Sequence, residues 1–65
     1  MINLNRLYIL MGEKCINNKN LCDKANISYN AFYKIKTGKS KPKIDTIGKI
    51  AKALDVDVKE LLEEV

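Results

Sequence analysis

The stretch that most constrains the fold is residues 17–38, which read NNKNLCDKANISYNAFYKIKTG. Apolar residues recur in it at helical spacing, in two short blocks. The apolar positions are Leu21, Cys22 and Ala25, then Phe32 and Ile35. Between the blocks, Asn26 tolerates the left-handed conformation that ends a helix, and Ser28 can cap the next helix by accepting a hydrogen bond from a free backbone N–H. The stretch therefore predicts two short helices joined by a sharp turn.

The same spacing predicts helices in the rest of the chain. We expect five helices, at about residues 3 or 5 to 13, 18–25, 29–36, 44–54 and from 57 onward. Asn17 is the expected N-cap of the second helix, and Gly38 the left-handed stop after the third. Asp57 and Glu60 have the spacing of a capping box at the start of the fifth. Five short helices with short loops predict a compact all-α bundle.

The expected core takes one apolar stripe from each helix. Outside the two short helices, the stripes are Leu4, Leu7, Tyr8 and Met11 of the first helix, Ile44, Ile47, Ile50, Ala51 and Leu54 of the fourth, and Val58, Leu61, Leu62 and Val65 of the fifth. Gly48 lowers the helix propensity of the fourth helix, and we expect a close approach by another helix to explain it.

The length and composition indicate the class of protein. The chain of 65 residues has room for one domain, residues 1–65, and a chain of this size buries only about 60% of the surface that its unfolded form exposes. Its hydrophobic fraction of 46% and charged fraction of 31% are typical of globular proteins. No apolar stretch approaches the ~20 residues that span a bilayer, and no signal-peptide pattern is evident, so we expect a cytoplasmic protein.

The chain lacks the residue types of an enzyme or metal site. It has two cysteines, Cys15 and Cys22, and no histidine, and the thiols do not have the spacing of a zinc motif. We expect Cys22 to be a buried thiol and Cys15 a loop residue, since a disulfide between them is disfavoured in a reducing cytoplasm. No nucleophile–base pair, catalytic carboxylate pair or phosphate loop is evident, so we expect neither enzymatic activity nor a cofactor.

Charge is distributed unevenly along the chain. Residues 14–43 hold eight lysines against one aspartate, a net charge of +7, whereas residues 44–65 hold three lysines against six acidic residues, a net charge of −3. A basic block of this kind favours a polyanionic partner, and the alternative is a solvated basic surface without one. The block includes the second short helix and a lysine loop at residues 39–43, so the expected partner is nucleic acid.

The second short helix directs hydrogen-bonding and cationic side chains toward solvent. They are Tyr29, Asn30, Tyr33 and Lys34. Such a helix fits the DNA major groove, where Asn30 can pair with adenine and Lys34 can donate to guanine. Alternatively, the tyrosine rings cover a neighbouring helix and Asn30 is an ordinary solvated residue. Lys39 and Lys41 in the following loop, with Lys43 as a further candidate, would add salt-dependent affinity that carries no sequence information.

The run NNKNLCDKANISYNAFYKIKTGKSKPKIDTIGKIAKALDVDVKELL resembles the helix-turn-helix domain of the Cro and phage-repressor (XRE-like) transcription regulators. Its most specific part is KIKTGKSKPKIDTIGKIAKALDV, which combines a glycine after helix 3, a proline loop and an I-A-x-A-L helix. With the first helix added, the resemblance covers nearly the whole chain. It implies a lambda-repressor-like bundle that binds double-stranded DNA as a repressor-like regulator, with helix 3 in the major groove.

The resemblance also implies roles for individual residues. Asn18 stands where members usually carry a phosphate-binding glutamine, and Thr37 and the lysine loop stand where members often touch the DNA backbone. Ser28 and Tyr29 begin the recognition helix, and Tyr29, Asn30 and Lys34 occupy base-reading positions. The expected DNA-binding residues are therefore Asn18, Ser28, Tyr29, Asn30, Tyr33, Lys34, Thr37, Lys39 and Lys41.

Four further positions depart from the family pattern. Asn26 and Asp55 replace usual glycines, and Cys22 replaces a usual alanine. Because asparagine is the best non-glycine residue at a left-handed position, the turn should survive. Lys43 replaces a usual serine or threonine cap, so we expect a weaker start to helix 4.

One domain of this size covers a single half-site, so the resemblance predicts a homodimer on a palindromic operator with half-sites ~34 Å apart. The fifth helix and the loop before it are the expected dimer surface, with Leu62 and Val65 as anchors unless they pack in the core. The alternative function is a protein–protein interaction module, antitoxin-like or repressor-modulating, that keeps the fold without specific DNA binding and exposes an apolar patch.

Overall fold

The computed structural model describes residues 2–62. Its helices are α1 (Leu4–Glu13), α2 (Asn18–Ala25), α3 (Tyr29–Lys36) and α4 (Ile44–Leu54), followed by a short 3-10 helix at Val58–Leu61. The described residues form no strand beyond one isolated antiparallel bridge between Ile2 and Leu62. The all-α fold class is confirmed, and the fifth helix is a single 3-10 turn.

Side-chain caps start the first three helices. Asn17 Oδ1 accepts from the N–H of Asn20 at 2.8 Å, and Ser28 Oγ accepts from the N–H of Ala31 at 3.1 Å, as the sequence predicted. Asn3 caps α1 in the same way. Lys43 makes no side-chain cap at the start of α4, which is also as predicted. Caps of this kind each contribute about 1 kcal/mol to helix stability.

Left-handed residues end α2 and α4 and follow α3. Asn26 ends α2 with φ 57°, and Asp55 ends α4 with φ 58°. Gly38 follows α3 with φ 77°, which confirms it as the predicted left-handed stop. Asparagine and aspartate tolerate this region better than other side-chain-bearing residues, so both replacements for the usual glycines are accommodated.

The core lies where α2 and the 3-10 helix pack against α4, while α1 packs against the 3-10 helix. Its largest fully buried side chains are Leu7, Leu21, Phe32, Ile50, Leu54 and Leu61. Cys22 is buried as predicted, and Cys15 is an exposed free thiol.

Two residues predicted for the core lie on the surface. Tyr8 is 46% exposed, because α1 faces the core with Leu7, Leu10 and Met11 and leaves Tyr8 on the flank. Ile44 is 60% exposed, because it is the first residue of α4 and precedes the part of the helix that packs.

The predicted capping box and the close approach at Gly48 are also wrong. Asp57 makes no side-chain cap, and the Glu60 carboxylate accepts instead from Arg6 Nη2 at 2.6 Å. The N–H of Asn3 donates to the carbonyl of Leu61 at 2.6 Å, so the two ends of the described chain are joined. A Cβ placed on Gly48 would meet nothing within 4 Å. Val65, one of the predicted dimer anchors, lies outside the described residues.

Candidate nucleic-acid interface

Helix α3 is held by two buried side chains, with Lys36 half-buried beside them, and its other side chains are exposed to solvent. Phe32 is fully buried and Ile35 nearly so. On the opposite side, Asn30 and Lys34 are exposed, and Tyr29 and Tyr33 are 56% and 45% exposed. A helix anchored along one side keeps its polar side rigid and open, as a reader of base edges requires.

In the turn before α3, the backbone N–H groups of Asn26 and Ile27 are hydrogen-bonded to carbonyls of α2. The left-handed Asn26 lets its N–H return to the carbonyl of Asp23, and the N–H of Ile27 donates to the carbonyl of Cys22 at 3.1 Å. Ser28 then starts α3 as its cap. Because Ser28 Oγ accepts from Ala31, its hydroxyl hydrogen remains available to an external acceptor such as a phosphate oxygen.

The N-terminus of α2 offers backbone donors. Asn17 satisfies the N–H groups of Asn20 and Leu21 through its side chain and its carbonyl. Within residues 2–62, the N–H groups of Asn18 and Lys19 have no protein acceptor. Free N–H groups at a helix start attract anions, and the half-buried Asn18 stands beside them.

A groove of about 410 Å³ separates α3 from the loop that follows it and the start of α4. We call it the lysine groove. Its polar lining is Ser28, Asn30, Lys34, Ser40, Lys41, Lys43 and Thr46. The described residues that line it include no carboxylate, so its three ammonium groups are not neutralised from within. Such a groove favours a phosphate-bearing ligand.

The predicted site residues therefore fall into separate groups. Asn30, Lys34, Lys41 and Ser28 share the lysine groove. Tyr29 and Tyr33 do not line it, and Asn18 lies at the start of α2. Lys39 is exposed on the loop but also lies outside the groove lining.

The Thr37 hydroxyl and the backbone N–H groups that follow it are hydrogen-bonded to α3, although the residues themselves are exposed. The Thr37 hydroxyl donates to the carbonyl of Tyr33 at 2.9 Å. The N–H groups of residues 37–40 all donate to carbonyls of α3. Any contact that this loop makes to DNA phosphates must therefore come from side chains, and Thr37 would have to turn its hydroxyl away from the helix.

Sequence reasoning left six residues of the groove lining out of the expected DNA-binding set: Ala31, Ile35, Ser40, Pro42, Lys43 and Thr46. The helical spacing of Ala31 relative to Asn30 and Lys34 could have indicated it. Lys43 and Thr46 join the groove only because the loop folds back against α3, and no local pattern shows that.

Lys36 and Cys22 belong to the packing of α2 and α3 and not to the interface. The Lys36 ammonium lies 5.7 Å from the centre of the Phe32 ring, and the side chain is half-buried. Burial raises the pKa of the Cys22 thiol, with Asp23 adding to the rise and Lys36 opposing it. A neutral, inaccessible thiol is structural and not reactive.

Comparison with protein-family models assigns the architecture. Residues 6–65 match the model of the Cro/C1-type HTH DNA-binding domain. The chain belongs to this family. The match spans both helices of the turn, the lysine loop and α4, and it supports a DNA-binding role for this Cro/C1-type domain. Comparison with curated proteins gives no match.

Two further features concern metal binding and membrane insertion. Among residues 2–62, no three histidine, cysteine, aspartate or glutamate side chains are placed to hold a metal ion. No helix in the same part of the chain has the length and apolar character needed to cross a membrane.

Proposed function

We propose that this Cro/C1-type domain is a sequence-specific transcription regulator of the repressor type, which inserts α3 into the major groove of double-stranded DNA. The observation that carries the proposal is that Asn30 and Lys34, both exposed on the outer face of α3, also line the lysine groove. Base-reading groups and backbone-binding charge are thus adjacent on one surface, as groove recognition requires.

We assign base contacts to α3. Asn30 presents an amide that can bond to both N6 and N7 of adenine, and Lys34 donates to O6 or N7 of guanine. The exposed rings of Tyr29 and Tyr33 lie on the flank of α3, where they can contact a thymine methyl group or a phosphate. Each good bidentate base contact discriminates by about 1–3 kcal/mol against the wrong base.

We assign backbone contacts to residues around α3. Asn18 and the free N–H groups at the start of α2 face one phosphate, with Asn18 reaching it directly or through water. Ser28, Lys39 and Lys41 contact others, and Thr37 joins them if its hydroxyl turns outward. These contacts position the helix and make affinity fall with salt, without adding sequence information.

The proposal includes a homodimer on a palindromic operator in the cytoplasm. A single α3 reads one half-site, and two copies related by a two-fold axis read half-sites ~34 Å apart. The dimer surface predicted from the sequence is the fifth helix and the loop before it. Leu61 of that helix is fully buried and Leu62 forms the bridge with Ile2, so both already contact their own protomer.

A protein–protein interaction module is the second candidate. The observation that favours it is a pair of exposed apolar side chains on α1, Tyr8 at 46% and Ile9 at 53% exposure. Two neighbouring side chains make a small patch, smaller than interaction surfaces usually are. An interaction module would show no salt-dependent binding to duplex DNA.

The experiment is duplex binding at two salt concentrations, with a randomised duplex pool to select the preferred site. The double variant Asn30→Ala/Lys34→Ala should lose about 10- to 100-fold in affinity for the selected site and much less for random duplex. The matched control is Asn5→Ala/Lys59→Ala, which removes the same two residue types from exposed positions outside α3. Equal binding by wild type and the α3 variant to every sequence would contradict the proposal.

A further inference from the structure

A second groove lies between the N-terminal residues 2–5 and the loop that follows α3. We call it the N-terminal groove, and its volume is about 290 Å³. The buried Ile2 and Ile35 and the half-buried Leu4 and Pro42 form its apolar lining. Small-molecule pockets are likewise concave and largely apolar, and they start at about 300 Å³. The N-terminal groove therefore has the size and character of a site for a small ligand.

The polar lining of this groove favours an anion. Among its described residues Lys41 is the only ionisable one, and Lys41 forms no ion pair within residues 2–62. The hydroxyl of Ser40 and the side-chain N–H groups of Asn3 make no hydrogen bond to another described residue, whereas Asn3 Oδ1 accepts from the N–H of Arg6. One ammonium group and these neutral donors match a ligand that carries a single negative charge.

Backbone hydrogen bonds fix both walls of the N-terminal groove. On one side, the N–H of Asn3 donates to the carbonyl of Leu61 at 2.6 Å. On the other side, Gly38 adopts φ 77°, and the N–H groups of residues 38–40 donate to carbonyls of α3. A ligand would therefore be held by side chains, and it would enter a groove that needs little ordering of the backbone.

Lys41 belongs to both the N-terminal groove and the lysine groove. Ile35, Ser40 and Pro42 are also shared between the two linings. If the Lys41 ammonium pairs with an anion in the N-terminal groove, its charge is neutralised and it is not available to a phosphate in the lysine groove. The shared residues thus connect a small-ligand site to the proposed DNA contact.

Two other grooves are less suited to an anion, because their linings contain carboxylates. Glu13 and Asp55 line a groove between α1 and the end of α4, and Asp45 and Asp57 line a groove along α4. Carboxylates repel an anion and compensate the charge of nearby lysines. The described lining of the N-terminal groove has no carboxylate, so a small anion with a hydrocarbon chain fits it better than it fits either of these.

We propose that the N-terminal groove binds a small amphiphilic carboxylate. Its hydrocarbon chain packs against Ile2, Leu4 and Ile35, and its head group pairs with Lys41. The bound carboxylate competes with a DNA phosphate for Lys41 and so weakens duplex binding. This competition rests on the proposed function, whereas the binding of the carboxylate requires no DNA.

The first test is a ¹H–¹⁵N NMR titration of the full chain without DNA, with octanoate as the ligand. Octanoate should shift the amide signals of residues 2–5 and 35–41 saturably, with a Kd on the order of millimolar. Acetate should bind at least about tenfold more weakly because it lacks the hydrocarbon chain, and octylammonium should leave these signals unchanged because Lys41 repels it. Equal effects of all three compounds, or shifts confined to other residues, would overturn the proposal.

Charge variants test the pairing with Lys41. Lys41→Gln should weaken octanoate binding about threefold to fivefold. The matched control is Lys39→Gln, which removes a lysine of the same loop that does not line the groove and should leave octanoate binding unchanged. Octanoate binding that is unaffected by Lys41→Gln, or that falls equally in both variants, would overturn the pairing.

A third variant adds a carboxylate to the groove without removing any group that the fold uses. Asn5→Asp lies in the first turn of α1, where an acidic residue suits the helix dipole, so the chain should stay folded by circular dichroism. It should weaken octanoate binding about threefold to fivefold through repulsion. Asn20→Asp, in the first turn of α2, is the matched control and should have no effect. Equal octanoate binding by these two variants would contradict the proposed site.

A second copy of this chain is the competing occupant of the groove. NMR spectra of the ligand-free protein over a concentration series distinguish the two. The signals of residues 2–5 and 38–41 should not depend on protein concentration. Concentration-dependent shifts confined to these residues would mean that a second copy fills the groove, and they would overturn the proposal.

Fluorescence anisotropy with the selected duplex tests the competition. Saturating octanoate should weaken duplex binding by wild type about twofold to fivefold, as the loss of one phosphate contact does, and should leave duplex binding by Lys41→Gln unchanged. Sodium acetate at the same concentration controls for ionic strength. An unchanged wild-type affinity at octanoate concentrations that fill the groove would overturn the competition.

The same measurements separate this inference from the proposed function. If octanoate binds in the N-terminal groove and the protein binds no duplex DNA, the carboxylate site stands and the regulator proposal fails. If the protein binds its selected duplex and octanoate shifts no groove signal, the regulator proposal stands and the carboxylate site is refuted.

Discussion

The lysine groove beside α3 and the contact between α1 and the 3-10 helix are both built from exposed charged side chains, but only the second contains an ion pair. Arg6 and Glu60 join α1 to the 3-10 helix at 2.6 Å. Lys34, Lys41 and Lys43 line a groove whose described lining has no carboxylate. One contact uses charge to hold the fold together, and the other leaves charge available to a partner.

The two regions also differ in how their backbone is anchored. Helix α3 is held by fully buried Phe32 and by a cap at Ser28. The 3-10 helix has no side-chain cap and depends on Leu61, on the bridge to Ile2 and on the pair with Arg6. Helix α3 thus has both a cap and a buried anchor, whereas the 3-10 helix completes the core without a side-chain cap.

The largest expected effect is on the anchoring of α3. Phe32→Ala removes a fully buried ring and should destabilise the domain by about 3–5 kcal/mol. This loss is a large part of the free energy of unfolding of a chain this small. Tyr33→Ala, at the next and half-exposed position, should cost far less. Urea denaturation followed by circular dichroism measures both, and similar losses in the two variants would show that α3 is not held through Phe32.

The charge difference between the regions should appear in DNA binding. Lys41→Ala/Lys43→Ala should weaken duplex binding about 10-fold at low salt and lower the slope of log K against log salt by about 2, one unit for each phosphate that the variant no longer neutralises. The matched control is Lys14→Ala/Lys59→Ala, from the side where the acidic residues lie. Fluorescence anisotropy over a salt series measures the slopes, and equal slopes for the two double variants would remove the distinction between the two regions.

The turn that sets the angle between α2 and α3 should have a smaller effect. Asn26→Ala places an alanine at φ 57° and should cost about 1 kcal/mol, because asparagine tolerates that region better. Asn26→Gly should match or exceed the wild-type stability, since glycine adopts this conformation freely. Thermal unfolding distinguishes the two, and a destabilising Asn26→Gly change would mean that the asparagine side chain has a further role.

The smallest effect is expected at the ion pair. Arg6 and Glu60 are 43% and 40% exposed, so Glu60→Gln should cost less than about 1 kcal/mol, and less still at high salt. Denaturation at two salt concentrations measures the change. A loss that exceeds the cost of Asn26→Ala would show that the 3-10 helix depends on this pair more than on Leu61.

The sequence predicted the fold where the causes are local. The bounds of α2 and α3 follow from Asn17 and Ser28 as caps and from Asn26 and Gly38 as left-handed stops, and those signals depend only on neighbouring residues. The burial of Phe32 and Ile35 follows from helical spacing in the same way. The exposed polar face of α3 could therefore be predicted before any coordinates.

The wrong predictions concern residues whose environment is determined by tertiary packing and not by neighbouring residues in the sequence. Tyr8 and Ile44 match the spacing of a core stripe, but the direction from which other elements approach each helix leaves them exposed. Glu60 matches a capping box, but Arg6 lies close enough in space to take its carboxylate. Lys43 and Thr46 join the lysine groove because a loop folds back, so the groove as a unit was not predictable from spacing alone.

We propose that α3 and the lysine groove form the DNA-contacting surface of this Cro/C1-type domain. The most direct measurement is a two-dimensional ¹H–¹⁵N NMR titration of the labelled chain with its selected duplex. We expect chemical-shift changes and line broadening to concentrate at the start of α2, along α3 and in the loop through Lys43, while Tyr8, Ile9 and the 3-10 helix change little. Changes centred on α1 or the 3-10 helix, with α3 unaffected, would contradict it.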